Sequence, residues 1–220
     1  MTQISLIIFD VDGVLVDSEL LSAQILMHEL AAAGIDIDLD FFFRNCIGRP
    51  FADVAQRIEK HRGRALPNGF ESHYRTQLIR RFESELRPMP GVMEMLERLL
   101  VPYCLATNSS SERLAATLAI AGLGHPFAGL IFTAAMAGRA KPAPDMFLLA
   151  ARTFGAAPGD CLVIEDSDTG IQAARAAGMQ VWCFTGGSHL KGPGAVPPPP
   201  TPADFEFDDM SRFIQLLNGE

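Results

Sequence analysis

Asp10 and Asp12 stand two residues apart in IIFDVDGVLVDSE (7–19), directly after the apolar run ISLIIF (4–9) and directly before Gly13. A stretch built for burial that ends in two carboxylates calls for a chemical reason. Other polar groups stand in the same kind of place. YCLAT (103–107) ends in Thr107 and is followed by Asn108 and Ser109, while CLVIE (161–165) ends in Glu165 and is followed by Asp166. Lys141 precedes a proline in the loop GRAKPAPD. Carboxylates clustered in this way are hard oxygen donors, suited to Mg²⁺ held by one or two of them together with waters and a substrate phosphate. An aspartate beside such a metal can act as a nucleophile that accepts a phosphoryl group. A lysine can neutralise charge on the group in transfer. A Ser/Thr at a helix start offers hydroxyl and N–H donors to phosphate oxygens. Ser109 and Glu112 have capping-box spacing, which predicts a helix start there.

These residues need a scaffold that brings strand ends together. The apolar runs at 4–9, 103–107, 129–134, 161–165 and 180–184 are continuous rather than alternating, as expected of strands buried on both faces. Helical patterns separate them: 111–122, 144–155 and 169–178, each closed by glycine, the second opened by proline. Strand alternating with helix predicts an α/β fold, a Rossmann-like parallel sheet covered on both faces. In such a sheet ligands bind beyond the carboxyl ends of the strands, where the candidate residues lie. ADFEF (203–207) predicts a last short strand and DMSRFIQLL (209–217) a closing helix, with the proline-rich 192–202 as a surface connector.

Residues 17–85 break the alternation. Leu20, Ala23, Met27 and Leu30 recur at helical spacing, Ser18 or Asp17 can cap that helix, and Glu19 suits its first turn. Further helices are expected at 51–63 and 69–85, and another at 92–100 after the return to the sheet layer. The expected division is therefore a core of 1–16 and 86–220 and an inserted α-helical cap of 17–85. Arg75, Arg80 and Arg81 read as a solvated helix face.

A chain of 220 residues with 48% hydrophobic content can bury a sizeable core. A net charge of −8 speaks against a nucleic-acid surface. No apolar run approaches the ~20 residues of a membrane helix, and no basic segment precedes an apolar one at the start as in a signal peptide. Cys46, Cys104, Cys161 and Cys183 are widely spaced, without C-x-x-C or zinc spacing, and read as buried reduced thiols of a cytoplasmic protein. The five histidines, His28, His61, His73, His125 and His189, share no ligand spacing and are assigned no chemistry. P-loop, G-x-S-x-G and G-x-G-x-x-G patterns are absent from the sequence.

DVDGV (10–14), the run ending in Thr107, Lys141 in KPAPD, and EDSDTG (165–170) together resemble, in order, the four motifs of the haloacid dehalogenase superfamily. The helical insertion after the first motif resembles the C1-type cap of its phosphatase and phosphomutase branch. The resemblance implies Asp10 as nucleophile and Asp12 as general acid/base. It implies Mg²⁺ held by Asp10, the Asp12 carbonyl and Asp166, with Glu165 as ligand or just behind. Thr107 and Lys141 would grip phosphoryl oxygens, with Asn108 and Ser109 as donors. CIGRPF (46–51) is similar to the cap loop by which such relatives meet substrate, which implies Gly48 and Arg49 as contacts. In an extended chain side chains i and i+2 point the same way, so Asp10 and Asp12 can share a face, although Gly13 suggests the strand is already turning.

The expected function is a Mg²⁺-dependent phosphatase for a small phosphorylated metabolite, a sugar or sugar-acid phosphate, acting through an aspartyl-phosphate. No nucleic-acid, membrane or obligate protein partner is expected. A β-phosphoglucomutase-type isomerase shares the four motifs, and an inactive binding protein is the alternative of another class. Mutase-type relatives carry a histidine early in the first cap helix, where DSELLSAQIL (17–26) has Ser22 and no histidine.

Overall fold

The structure is a computed structural model that describes residues 4–191 and 195–219. Its elements run β1 (Leu6–Phe9), α1 (Glu19–Ala32), α2 (Leu39–Asn45), α3 (Phe51–Arg62), α4 (Phe70–Glu85), α5 (Val92–Arg98), β2 (Tyr103–Thr107), α6 (Ser111–Ile120), β3 (Ile131–Thr133), α7 (Ala134–Ala137), α8 (Asp145–Phe154), β4 (Cys161–Glu165), α9 (Asp168–Ala176), β5 (Gln180–Phe184), β6 (Phe205–Phe207) and α10 (Phe213–Asn218). The strands form one sheet in the order β3-β2-β1-β4-β5-β6, with every pairing parallel. The chain steps outward from β1 to β2 and β3, then crosses to the other side of β1 for β4. The carboxyl end of β1 is thus the switch point, where the flanking connections diverge and leave a crevice.

Two-sided burial explains the continuous apolar runs. Ile7 and Phe9 join one core layer with Leu105, Leu162, Ile164 and Phe213, while Leu6 and Ile8 join the opposite layer with Val163, Phe147 and Ile171. Neighbours along a strand alternate between faces, so both parities must be apolar. All four cysteines are buried and unbridged.

The helices α1–α4 lie between β1 and the rest of the sheet layer in sequence, and their apolar faces share a core cluster with it. Leu26, Val54, Tyr74 and Phe82 belong to the same contiguous cluster as Ile7 and Phe9. The two strands of chain that lead in and out run side by side: Val16 bridges Pro88, Asp17 N donates to Arg87 O at 3.2 Å, and Met89 N donates to Leu15 O at 2.9 Å. Among the described residues no helix is long and apolar enough to cross a membrane.

Several expectations change in detail. The third and last strands shrink to Ile131–Thr133 and Phe205–Phe207, because only those residues find a ladder partner. The helix expected at 209–217 opens with a 3₁₀ turn at Met210–Arg212, capped by Asp209, and becomes α-helical at Phe213. α2 was not expected. Asp38 starts it by accepting a 2.7 Å bond from Phe41 N, and Phe42 and Phe43 anchor it. Of the connector expected at 192–202, residues 192–194 lie outside the described residues, and 195–202 form no helix or strand.

Candidate active site

β1 ends at Phe9, and Asp10 continues it by donating its N–H to Ile164 O at 2.9 Å. The chain then turns back: Gly13 has φ +78°, and Gly13 N donates to Val16 O at 2.9 Å. A Cβ at Gly13 would lie 1.8 Å from Asp166 Oδ2, so the turn can pass the β4 end only without a side chain. It delivers Asp10 and Asp12 to one cavity, together with Thr107, Asn108, Ser109, Lys141, Asp166, Gly48 and Arg49. Glu165 sits beneath the cavity, fully buried.

Lys141 is the hub of the lower half. Its Nζ donates to Asp10 Oδ1 at 2.7 Å, to Ala106 O at 2.7 Å and to Glu165 Oε1 at 2.5 Å. Glu165 Oε2 accepts from Ser167 Oγ at 2.9 Å and from the N–H groups of Asp166 and Ser167. Both of its oxygens are therefore engaged by protein. Carboxylate oxygens of Asp10, Glu165 and Asp166 lie within 4.8 Å of one another. Burial, reinforced by the neighbouring carboxylates, pushes Asp10 and Asp166 well above the usual range, with Lys141 acting against it on both. Three buried carboxylates facing one ammonium leave excess negative charge, and Asp166 Oδ2 is buried with no hydrogen-bond partner. Hard oxygens, surplus negative charge and an unpaired carboxylate oxygen fit a small divalent cation such as Mg²⁺.

Asp12 is held differently. Its Oδ1 accepts from Ser18 Oγ at 2.6 Å and from Arg113 Nη2 at 2.7 Å, and its Oδ2 accepts from Ser109 Oγ at 2.6 Å. Burial acts to raise its pKa, but the Arg113 charge and the hydroxyl and guanidinium hydrogen bonds outweigh it and bring it below the usual value. Ser18 and Ser109 were expected as helix caps. Ser18 stands at the N-cap of α1 without a capping bond, and Ser110 rather than Ser109 caps α6 by accepting from Arg113 N. Both serines spend their hydroxyls on Asp12 instead, because a buried carboxylate is the stronger acceptor. Asp17, the other expected cap, accepts from Ser188 N and Oγ.

Asn108 uses its side chain as well as its backbone: Oδ1 accepts from Lys141 N at 3.0 Å, and Nδ2 donates to Gly48 O at 2.8 Å and Lys141 O at 3.2 Å. Thr107 is 1% exposed, and its Oγ1 accepts from Ser109 N at 3.1 Å.

Four residues escaped the sequence reading. Arg113 lies one turn into α6 and reaches Asp12. Arg75 is not on a solvated face: its Nη1 donates to Ser110 Oγ at 2.9 Å, tying α4 to the start of α6. Arg80 and Arg81 are exposed as expected. Glu19, read as a helix-dipole acid, is 7% exposed and lines the cavity. Burial, with Asp12 and Asp166 adding to it, pushes its carboxyl up to about 8. His189 is buried with Nε2 3.1 Å from Asp166 Oδ2, not aligned for a hydrogen bond, and burial lowers its pKa. The strand-end rule would have found it, since it follows β5 closely.

Residues 4–178 match the family model of the haloacid dehalogenase-like hydrolases. The chain belongs to that family. Among curated relatives of this hydrolase, 6-phosphogluconate phosphatase of Escherichia coli (strain K12) is 27% identical over 192 residues, covering 87% of each chain. Fructose-1-phosphate phosphatase YqaB of the same strain is 34% identical over 176 residues, covering 79% of this chain and 92% of its own. Among solved structures, the haloacid dehalogenase-like protein ATU0790 from Agrobacterium tumefaciens str. C58 superposes with a TM-score of 0.80 at 34% identity, covering 98% of each chain. This haloacid dehalogenase-like hydrolase is a phosphoric monoester hydrolase.

Proposed function

We propose that the protein is a Mg²⁺-dependent phosphatase of a small phosphorylated metabolite, a sugar or sugar-acid phosphate, acting through phospho-Asp10. The observation that carries this reading is the cluster of Asp10, Glu165 and Asp166 carboxylates around the Lys141 ammonium at the carboxyl ends of β1 and β4. Relatives named as phosphatases of 6-phosphogluconate and fructose 1-phosphate support the substrate class.

Asp10 attacks phosphorus through one carboxylate oxygen, forming an acyl-phosphate bond as the ester P–O bond breaks. The leaving alkoxide takes a proton from Asp12. In the second half, Asp12 accepts a proton from water, whose oxygen attacks phosphorus and frees the Asp10 carboxylate with release of phosphate. Asp12 in its observed network is ionised and so poised for this second role. Lys141 holds the Asp10 carboxylate in position and balances charge on the transferring group. Asp10, Asp166 and the Asp12 carbonyl would hold Mg²⁺, which supplies charge neutralisation of the phosphoryl oxygens. Glu165, with both oxygens bound to protein, orients Lys141 and the start of α9 rather than ligating.

The helices over the site act as a cap. The cavity encloses about 70 Å³, far below the roughly 300–1,000 Å³ of small-molecule sites, so substrate entry requires the cap to lift. Closure then excludes water during transfer. The paired segments Leu15–Asp17 and Arg87–Met89 are the hinge.

The test is phosphate release from a panel of sugar and sugar-acid phosphates with Mg²⁺ and with EDTA, β-glucose 1-phosphate and a trace of the bisphosphate included. Metal-dependent release of free phosphate is expected. Faster conversion of β-glucose 1-phosphate to glucose 6-phosphate than phosphate release would make the protein a mutase, and release unaffected by EDTA would remove the metal.

A further inference from the structure

Arg113 is more than a tether for Asp12. Its Nη2 donates to Asp12 Oδ1 at 2.7 Å and to Ser22 Oγ at 3.2 Å, and its guanidinium lies 5.7 Å from the centroid of the Phe82 ring. Nε is buried with no partner. Nη1 has no protein partner among the described residues and, unlike Nε, is reached by solvent. A guanidinium offers five N–H donors in a rigid fork, and here only Nη2 is engaged. An unpaired N–H donor on a residue that lines the cavity is open to an acceptor that comes from outside the chain.

A guanidinium donor favours an anionic acceptor. Arg49 and Arg75 line the same cavity as Arg113. Arg75 is bound to Ser110, the residue that caps the helix carrying Arg113. Arg75 is ion-paired with Glu71 and Arg113 with Asp12, while Asp10, Glu19 and Asp166 also line the cavity. The phosphoryl group has its own cation, Lys141, beside Asp10. Arg113 lies against Asp12, on the side where the leaving alcohol must sit if Asp12 protonates it.

We propose that Arg113 determines specificity: its Nη1–Nη2 edge takes a carboxylate on the leaving-group part of the substrate, so the preferred esters are those of sugar-acid alcohols rather than neutral ones. This rests on the phosphatase reading above. Carboxylate and guanidinium pair bidentately through two parallel N–H···O bonds. Both hydrogens of Nη2 are donated within the chain, to Asp12 and Ser22, so Arg113 exchanges its bond to Asp12 for the incoming carboxylate as substrate enters.

The test is a matched pair: 6-phosphogluconate and glucitol 6-phosphate have the same carbon chain and phosphate position and differ in a terminal carboxylate against a hydroxymethyl. Their kcat/KM values are measured with Mg²⁺ for the wild type, Arg113→Lys and Arg113→Gln, with p-nitrophenyl phosphate as reference. The wild type should favour the acid about 10- to 100-fold, the range of a hydrogen-bonded charge. Arg113→Lys should keep part of that preference. Arg113→Gln should bring the ratio near one, chiefly by raising KM for the acid, which a merely structural role would not do selectively. A wild-type ratio near one, or an unchanged ratio in Arg113→Gln, overturns the proposal while hydrolysis of the reference ester leaves the phosphatase reading standing. Release of phosphate from no ester at all overturns both. Should Arg113→Gln not fold, the wild-type ratio and its decline in Arg113→Lys decide, and an undiminished ratio in Arg113→Lys counts against the proposal.

Discussion

The carbonyl oxygen of Gly48 accepts a 2.8 Å hydrogen bond from Asn108 Nδ2, across 60 residues of sequence. The same oxygen accepts from Thr169 Oγ1 at 3.1 Å. One backbone atom of the loop between α2 and α3 is thereby latched to the residue that follows β2 and to the first turn of α9. Gly48 has φ +66°, and a Cβ there would lie 2.6 Å from Thr169 Oγ1 and 2.9 Å from Ser167 Oγ. Gly48→Ala should therefore unseat the latch, at a cost of about 1–3 kcal/mol in strain. We expect kcat/KM to fall about 10-fold and Tm by about 2–12 °C. A kcat/KM within twofold of wild type would show that the latch does not order the site.

Asp10→Asn should abolish turnover, because an amide cannot form the acyl-phosphate. It should not destabilise the fold. Burial and the neighbouring Glu165 and Asp166 charges disfavour the ionised Asp10, and Lys141 keeps Glu165 as partner. The Tm in EDTA is expected to be unchanged or higher than wild type. Appreciable residual activity would reassign the nucleophile, and a lower Tm would mean that the Lys141–Asp10 pair stabilises more than the crowding costs.

Asp166 carries an unpaired buried oxygen beside Asp10. Asp166→Ala should raise the Mg²⁺ concentration for half-maximal activity by about 10- to 100-fold or more. Mg²⁺ is expected to raise the Tm of the wild type by binding the folded state, and Asp166→Ala should remove that rise. An unchanged Mg²⁺ titration in both measurements would exclude Asp166 as a ligand.

Glu19 sets a pH dependence of stability. Its carboxyl is pushed up to about 8 in the folded protein from a reference of 4.5, mainly by burial. Between these values the folded state holds a proton that the unfolded state has released, so this group makes stability fall as pH rises through the window. Glu19→Gln removes that contribution. In metal-free buffer the Tm of Glu19→Gln relative to wild type should increase steadily from pH 5 to pH 8. A difference that is flat over this range would mean that Glu19 is ionised in the folded state.

The strands and most helices were legible because their signals are local. Leu6–Phe9 must be apolar on both parities to sit between two layers, and that requirement is written in four consecutive letters. The same holds for the polar residues that end the strands: Asp10, Thr107 and Glu165–Asp166 interrupt apolar runs, and an interruption is visible without knowing what it meets. α2 was missed because a seven-residue helix with adjacent phenylalanines shows no clear period. Arg75 was misread for a related reason. Its i,i+4 partner Glu71 marks a solvated face, while the contact that defines it, to Ser110 at 35 residues' separation, has no sequence signature.

The sequence by itself determined which polar groups end the strands and stand as candidates for the chemistry, since a strand end can be read from hydropathy and the polar types that follow it are few. Only the tertiary structure decided how those groups are charged and oriented. Asp10 and Asp12 are the same residue type two positions apart, yet burial among carboxylates raises one while Arg113, Ser18 and Ser109 lower the other. The partners of Asp12 come from sequence separations of 6, 97 and 101 residues. Electrostatic and hydrogen-bonding effects act over a few ångströms of space and depend on local burial. Such neighbours are fixed by packing α1 and α6 around the end of β1, and no pattern along the chain encodes that distance.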